Sequence, residues 1–158
     1  DSGVEDYVRD CGTVNRLVGK KMASLVSQVP GIATTSPQGA FYLYLDFNEQ
    51  AGQFRRFGLN TSVAIAEDLL HVEHTALLPG SALLLPEDHF SFRCSYVDYD
   101  GRAALDEYRS RPPATPEAED AFVQRHCSLL VDGVRYMARY VKEVTAGRRP
   151  RHVVEPGN

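Results

Sequence analysis

The fold of this chain is decided by one stretch of sequence, Phe90-Ser91-Phe92-Arg93-Cys94-Ser95-Tyr96-Val97. Aromatic and apolar residues alternate in it with hydroxyl and charged residues, which is the period of a β-strand. The alternation places the three aromatic residues and Cys94 on one face. It places Arg93, between two serines, on the other. The stretch therefore predicts a strand with an apolar face and with one arginine at the middle of its second face.

Two further strands are predicted upstream. Ala40–Phe47 is aromatic and apolar almost throughout, which predicts a strand covered on both faces. Thr75–Leu78 is short and is ended by Pro79-Gly80. It is too close in sequence to the strand at 90–97 for a helical crossover, so we expect the two to be antiparallel neighbours. The polar, glycine-containing segment Asn48–Gly58 is predicted to be a surface loop.

Two helices are predicted in the first half of the chain. Apolar residues recur at steps of three and four from Val4 to Val29, which predicts a long amphipathic helix. Ser2 and Glu5 fit a capping box for it, and Pro30-Gly31 stops the pattern. The second helix is expected from about Thr61 to His71, with these apolar residues facing inward: Val63, Ala66, Leu69 and Leu70.

Two more helices are predicted in the second half. Asp98-Tyr99-Asp100-Gly101 opens a short helix to about Ser110, with an aspartate as N-cap. Thr115 caps the last helix, whose apolar residues step by four and three from Val123 to Val141. Gly147 is its C-cap. The predicted class is α+β, with a three-stranded, largely antiparallel sheet packed against helices.

Length, charge and cysteine content narrow the functional classes. A chain of 158 residues suits one domain, which buries roughly 70% of its unfolded surface. The net charge of −4 gives no long-range attraction to nucleic acid or an anionic membrane, and no apolar run approaches the ~20 residues of a membrane span. Three cysteines without a CxxC spacing indicate reduced thiols, so we expect a cytoplasmic location. Because the sequence begins with Asp1 and not with methionine, we expect the chain to be a piece of a longer protein.

Three polar clusters have a simpler explanation than a functional site. His71-Val72-Glu73-His74 spaces its imidazoles by three residues, whereas a zinc site on a helix needs four, so no metal is assigned. Asp98 and Asp100 lack the rest of a calcium loop and are explained by helix capping. The basic, proline-containing residues 148–158 are expected to form a solvated tail after a domain spanning 1–147.

Arg93 carries the strongest candidate chemistry. Its planar guanidinium on a rigid strand, with space left by the neighbouring serines, suits bidentate binding of a carboxylate. The residues alone leave two structural alternatives open, an internal ion pair and an exposed strand face.

Three motifs in order carry a family resemblance: Ser36-Pro37-Gln38-Gly39-Ala40-Phe41-Tyr42-Leu43-Tyr44, then Leu77-Leu78-Pro79-Gly80-Ser81-Ala82, then Phe92-Arg93-Cys94-Ser95-Tyr96. A helix ending in Glu67-Asp68-Leu69-Leu70 joins the first two. Together they resemble the C-terminal small domain of the class I/II aminotransferases, which are aspartate-aminotransferase-like, fold-type-I enzymes that use pyridoxal phosphate. The resemblance covers about residues 4–144.

The resemblance implies roles that the patterns do not. Residues 1–29 would be the end of the helix that links the large and small domains. Arg93 would bind the α-carboxylate of the substrate. The parent would hold pyridoxal 5'-phosphate and act as a homodimer on an amino acid and a 2-oxo acid. The family's Schiff-base lysine has no counterpart here, since Lys20, Lys21 and Lys142 lie in helical patterns outside the family's Ser-x-x-Lys setting.

We therefore expect the C-terminal fragment of an aminotransferase, inactive and without cofactor when alone. A lyase or synthase of the same fold is an alternative, because the same arginine serves those reactions. A non-enzymatic interaction or effector-sensing domain is another. The sequence departs from the family at Leu83-Leu84-Leu85, where Phe-Gly is frequent, and at Arg111–Glu119, which lengthens the region before the last helix.

Overall fold

The computed structural model describes residues 2–151, the backbone alone at Ser2. In this part of the chain the helices are α1 (Ser2–Val26), α2 (Ala51–Arg56), α3 (Ser62–Glu73), α4 (Gly101–Ser110), α5 (Pro116–His126) and α6 (Ser128–Thr145). The strands are β1 (Ala33–Thr34), β2 (Tyr42–Asp46), β3 (Leu78–Pro79) and β4 (Ser91–Ser95), and 3₁₀ turns cover Asn48–Gln50 and Gly80–Leu83. None of these helices is long and apolar enough to cross a membrane.

The four strands form one sheet in the order β1-β2-β4-β3, and each neighbouring pair is antiparallel. The predicted α+β class and the antiparallel pairing of the two later strands are confirmed, but the first of these strands is Leu78–Pro79 and not Thr75–Leu78. The predicted count of three strands is wrong, because β1 adds a fourth. Its two residues, Ala33 and Thr34, are too few to produce a visible alternation in the sequence.

The core lies between one face of the sheet and helices α1, α3 and α6. Leu43, Leu45 and Phe92 point into it from the two central strands and are fully buried. The helices contribute a contiguous set of buried apolar side chains, among them Val18, Met22, Val26, Ile65, Leu69, Met137 and Val141. The side chains that alternate with these on the strands therefore lie on a second face.

The strand β2 differs from its prediction in this respect. It was expected to be covered on both faces, but Tyr44 is 40% exposed and Tyr42 is half-buried. Only one face of β2, the one with Leu43 and Leu45, is covered by the helices. Aromatic side chains suit a half-covered sheet surface as well as a core, so the apolar composition did not distinguish the two. We call the second face, which carries Tyr42, Tyr44 and Arg93, the open face.

Close backbone approach explains two glycines near the motifs. A Cβ at Gly80 would lie 2.4 Å from the Ser91 Oγ atom, so only glycine lets this turn pack against β4. A Cβ at Gly19 would lie 2.8 Å from the hydroxyl oxygen of Tyr96, where α1 crosses the end of β4. These contacts fix the position of β4 relative to its surroundings.

The segment Asn48–Gly58, predicted to be a loop, contains α2. Phe54 anchors this helix to the core. Its side chain is fully buried, and its ring centroid lies 6.0 Å from that of Phe47 and 6.2 Å from that of Tyr140. The polar composition of the segment reflects the remaining residues of this short helix, most of which face solvent. Ala51 and Phe57 of the same segment are partly buried against the core, so a few apolar contacts order a segment that lacks apolar periodicity.

The helical predictions need three corrections. The predicted last helix is two helices, α5 and α6, because the backbone leaves the helical conformation at Cys127 (φ −125°, ψ 32°). In α3, Val63 and Leu70 are exposed, and Ile65 and Val72 face inward with Leu69. The apolar stripe of α1 is buried only from Val14 onward. Its first turns carry exposed apolar side chains, at Val4, Tyr7 and Val8.

The predicted N-caps Asp100 and Thr115 are confirmed, whereas the capping box of Ser2 and Glu5 stays a prediction because the Ser2 side chain lies outside the described residues. The Asp100 carboxylate accepts hydrogen bonds from the backbone N–H groups of Arg102 and Ala103, both at 3.0 Å. We expect Asp100→Ala to lower the free energy of unfolding by about 1 kcal/mol in urea denaturation followed by circular dichroism. Asp98→Ala is the matched control, since that aspartate is exposed and outside the cap, and it should leave the midpoint unchanged. Equal losses in the two variants would contradict the capping role.

Candidate carboxylate-binding site on the open face

Arg93 lies at the centre of the sheet. It is the middle residue of β4 and pairs with Tyr44 on β2 and with Leu78 on β3. Hydrogen-bonded strands on both sides therefore hold its backbone. As the alternation predicted, its side chain shares the open face with Tyr42 and Tyr44, while Phe92 lies in the core.

The Arg93 side chain lies across an aromatic ring. Its guanidinium carbon is 4.2 Å from the centroid of the Tyr42 ring, and the residue is half-buried. Within residues 2–151, no carboxylate is within ion-pairing distance of it. Of the structural alternatives left open by the sequence, the internal ion pair is therefore not the one adopted.

This arrangement leaves the hydrogen-bonding edge of the guanidinium for an anion. Stacking uses the face of the planar group, whereas its N–H donors lie in the plane. The exposed Ser95 follows Arg93 on the same face and adds little bulk there. A planar anion such as a carboxylate can accept two parallel N–H bonds from a group held in this way.

Other arginines of the chain serve to connect its elements. Arg109 of α4 binds Asp10 of α1 at 2.9 Å. Arg125 of α5 binds Glu107 of α4 at 2.5 Å. The hydrogen bonds from Arg125, and then from His126, hold the pKa of Glu107 near 2. These ion pairs join neighbouring helices, so the guanidinium groups of Arg109 and Arg125 are neutralised by carboxylates of the chain itself.

The beginning of the predicted solvated tail is attached to the body. Arg148 binds the Glu143 carboxylate at 2.5 Å, and Arg149 binds Asp68 of α3 at 2.5 Å. Asp68 also accepts a hydrogen bond from the Tyr140 hydroxyl at 2.6 Å. The remaining residues of the tail, 152–158, lie outside the described residues. The boundary between domain and tail at 147 stays a prediction.

The cluster from His71 to His74 holds a structural ion pair. Glu73 is 4% exposed, and both its carboxylate oxygens accept hydrogen bonds from Arg139 of α6. Among the described residues, no three potential metal ligands converge on one point. The Glu73 carboxylate thus connects α3 to α6.

The pair predicts an asymmetric effect on stability. Arg139→Ala should lower the free energy of unfolding by about 3 kcal/mol, because it leaves a buried carboxylate without a partner. Glu73→Gln should cost less, because Arg139 is 46% exposed and water can solvate it. Urea denaturation of both variants measures the difference, and Glu73→Gln/Arg139→Ala should recover part of the loss. Equal costs for the two single variants would show that burial of the carboxylate is not the cause.

The lysines do not fit a covalent cofactor site within this chain. Lys20 and Lys21 of α1 form ion pairs with Glu119 and Asp120 of α5, each at 2.8 Å. Lys142 is exposed on α6. Pyridoxal phosphate would need a lysine from another part of the parent to hold it covalently.

The sequence predicted the face of β4 on which Arg93 lies, but it did not predict which residues of β2 lie beside it. Tyr42, the ring under the guanidinium, lies 51 residues earlier in the chain, since it belongs to the paired strand. Asp46 and Asn48 also lie near this face, at the end of β2. The cross-strand register brings Tyr42 and Asp46 to diagonal positions beside Arg93, and the sequence carries no direct signal for that register.

The fold is that of part of an aminotransferase. The chain matches the crystal structure of an aminotransferase from Escherichia coli with a TM-score of 0.51 over 81% of this chain and 23% of that one. The sequence identity is 16%, so this match concerns the fold alone.

A sequence relative points to the same class. A segment of 61 residues, 39% of the chain, is 36% identical to a probable aspartate/prephenate aminotransferase of Aquifex aeolicus (strain VF5) and covers 14% of it. No protein-family model matches the chain. The predicted resemblance to an aminotransferase is confirmed by the two matches, and the chain spans less than a quarter of either relative.

Proposed function

We propose that this chain is the C-terminal small domain of a class I/II aminotransferase that depends on pyridoxal phosphate and works in the cytoplasm or an organellar matrix. The parent would transfer an amino group from an amino acid to a 2-oxo acid. The observation that carries the proposal is the stacked guanidinium of Arg93 on the open face, with no carboxylate partner in the described chain, in a fold similar to aminotransferases.

The proposed task of Arg93 is to orient both substrates. An amino acid and a 2-oxo acid share an α-carboxylate and differ at the adjacent carbon. A guanidinium that binds this carboxylate through two parallel N–H bonds fixes the position and rotation of the α-carbon in either compound. One residue on a rigid strand can therefore serve both halves of a transfer reaction.

The cofactor and the reactive lysine would belong to another part of the parent. When bound there, pyridoxal phosphate would supply the electron sink for chemistry at the α-carbon. The three lysines of this chain are either ion-paired on α1 or exposed on α6, which supports that division. The chain alone is therefore proposed to be inactive.

The exposed start of α1 supports contact with the rest of the parent. Val4, Tyr7 and Val8 lie on consecutive turns and are each more than half exposed. Apolar side chains grouped in this way mark a surface that another domain or subunit covers. We propose that the large domain or the second subunit of a homodimer packs there and helps to close the open face against water.

The test compares the 158-residue chain with the longer gene product that contains it. The longer protein should convert an amino acid and a 2-oxo acid into the exchanged pair, and the chain alone should not. Turnover by the chain alone would refute its proposed inactivity. Release of ammonia without formation of a new amino acid would indicate a lyase. A longer product that lacks both activities and does not bind pyridoxal phosphate would overturn the enzymatic proposal.

A further inference from the structure

We propose that Tyr42 and Asn48 are positioning residues that keep the guanidinium of Arg93 available to a carboxylate. Tyr42 does so by stacking, and Asn48 does so by holding back the carboxylate of Asp46. The inference rests on the carboxylate-binding role proposed for Arg93. It assigns roles to two residues that the motifs did not identify.

The need for positioning follows from the register of the sheet. Arg93 is directly opposite Tyr44 on β2, so its diagonal neighbours on that strand are Tyr42 and Asp46. Diagonal neighbours on one face are within reach of a side chain as long as arginine. Asp46 is thus the carboxylate of the chain itself that a guanidinium released from Tyr42 would reach in place of a substrate.

Tyr42, the diagonal neighbour on the side opposite to Asp46, contacts the guanidinium of Arg93. The guanidinium carbon lies 4.2 Å from the ring centroid, at the distance of a cation–π contact. This contact uses the planar face of the group and leaves its N–H edge unoccupied. Stacking therefore orders the long side chain without consuming the donors that a carboxylate needs.

Asn48 holds the competing carboxylate. Its backbone N–H and its side-chain amide both donate to the Oδ1 atom of Asp46, at 2.8 and 2.7 Å. Asn48 is fixed in turn, because its Oδ1 atom accepts the backbone N–H of Phe90 at 3.0 Å. The amide nitrogen also lies 3.3 Å from the Nε2 atom of the His89 ring. Asp46 is therefore tied to the turn after β2.

The stacking can be tested on the 158-residue chain without any ligand. In nuclear magnetic resonance spectra, the ring current of Tyr42 should shift the Hδ and Hε signals of Arg93 upfield of those of exposed arginines. Tyr42→Phe should keep this shift, and Tyr42→Ala should abolish it. Tyr44→Ala is the matched control from the same face, and it should leave the shift in place. An Arg93 signal that does not move in Tyr42→Ala would overturn the role of Tyr42.

The competition by Asp46 is tested with acetate as the carboxylate probe, followed at the same signals. Tyr42→Ala should weaken acetate binding about 3-fold, as expected for loss of an exposed cation–π contact. Asn48→Ala should weaken it about 3- to 10-fold, because Asp46 then loses the side-chain amide donor, keeps only the backbone N–H, and can turn toward Arg93. The double variant Asn48→Ala/Asp46→Asn should restore the original affinity. Asn48→Ser replaces the alanine variant if that variant does not fold.

The outcomes separate the inference from the function on which it rests. Failure of Asp46→Asn to restore affinity, or unchanged affinity in Asn48→Ala, would overturn the role of Asn48. Failure of acetate to shift the Arg93 signals in the unmodified chain would count against the proposed carboxylate site itself. The ligand-free spectra would in that case still decide whether Tyr42 holds the guanidinium.

Discussion

Replacement of Arg93 by leucine in the longer protein is expected to lower kcat/KM for the amino acid by about 10²- to 10⁴-fold. The substitution removes two charge-assisted hydrogen bonds to the α-carboxylate, each worth about 1.5–3 kcal/mol. A free-energy change of about 1.4 kcal/mol corresponds to a factor of ten. Steady-state kinetics measure the loss for both the amino acid and the 2-oxo acid, and it should appear for both.

Two controls separate this effect from a general loss of structure. The absorbance of the proposed pyridoxal phosphate cofactor should be retained in Arg93→Leu, because the proposed role of Arg93 is contact with the substrate carboxylate. Arg102→Leu replaces an exposed arginine on α4, away from the sheet, and should leave kcat/KM unchanged. An Arg93→Leu enzyme with unaltered kcat/KM would refute the carboxylate role.

Replacement of Phe92 by alanine is expected to have the largest effect on stability. Phe92 is fully buried beside Arg93 on β4, and its ring centroid is 4.8 Å from that of Phe47. Removal of such a side chain leaves a cavity and should lower the free energy of unfolding by about 3–5 kcal/mol. Urea denaturation of the 158-residue chain measures this change.

A surface substitution provides the comparison for Phe92. Leu129→Ala removes an apolar side chain that is 70% exposed at the start of α6, and its effect should stay within about 0.5 kcal/mol. A cost below about 1 kcal/mol for Phe92→Ala would mean that burial of Phe92 on the covered face of the sheet does not stabilise the core.

The sequence was sufficient to predict the features that local rules govern. The alternation around Arg93 predicted both faces of β4, because successive side chains of a strand must point to opposite sides. Thr115 and Asp100 were predicted as caps, and both accept backbone N–H groups at the start of their helices. A cap depends on the next three residues alone, so one sequence contains the whole signal.

The features that the sequence did not predict depend on tertiary contacts. The helix α2 forms around Phe54, whose ring packs against Phe47 nearby and against Tyr140, which is distant in the chain. The break at Cys127 preserves the spacing of apolar residues across it, so periodicity predicted one uninterrupted helix. The exposure of Tyr44 depends on which face of the sheet the helices cover, and from Tyr42 to Leu45 both faces of β2 carry apolar or aromatic side chains.

The candidate site also combines one residue that the sequence predicted with neighbours that depend on tertiary contacts. Arg93 was predicted from its strand position and from the family resemblance, and the structure places it on the open face. Its stacking on Tyr42 and the diagonal position of Asp46 required the pairing of β2 with β4. A shift of that register by one residue would move Tyr42 to the covered face, so only the folded chain reveals its proximity to the guanidinium.

The most direct test of the carboxylate role compares an amino acid with the amine that has the same side chain and no carboxylate. In the unmodified longer protein, kcat/KM for the amino acid should exceed that for the amine by about 10²- to 10⁴-fold. In Arg93→Leu this ratio should fall close to one, because the residue and the carboxylate that it binds are then removed together. A ratio that stays the same in both proteins would contradict the binding of the α-carboxylate by Arg93.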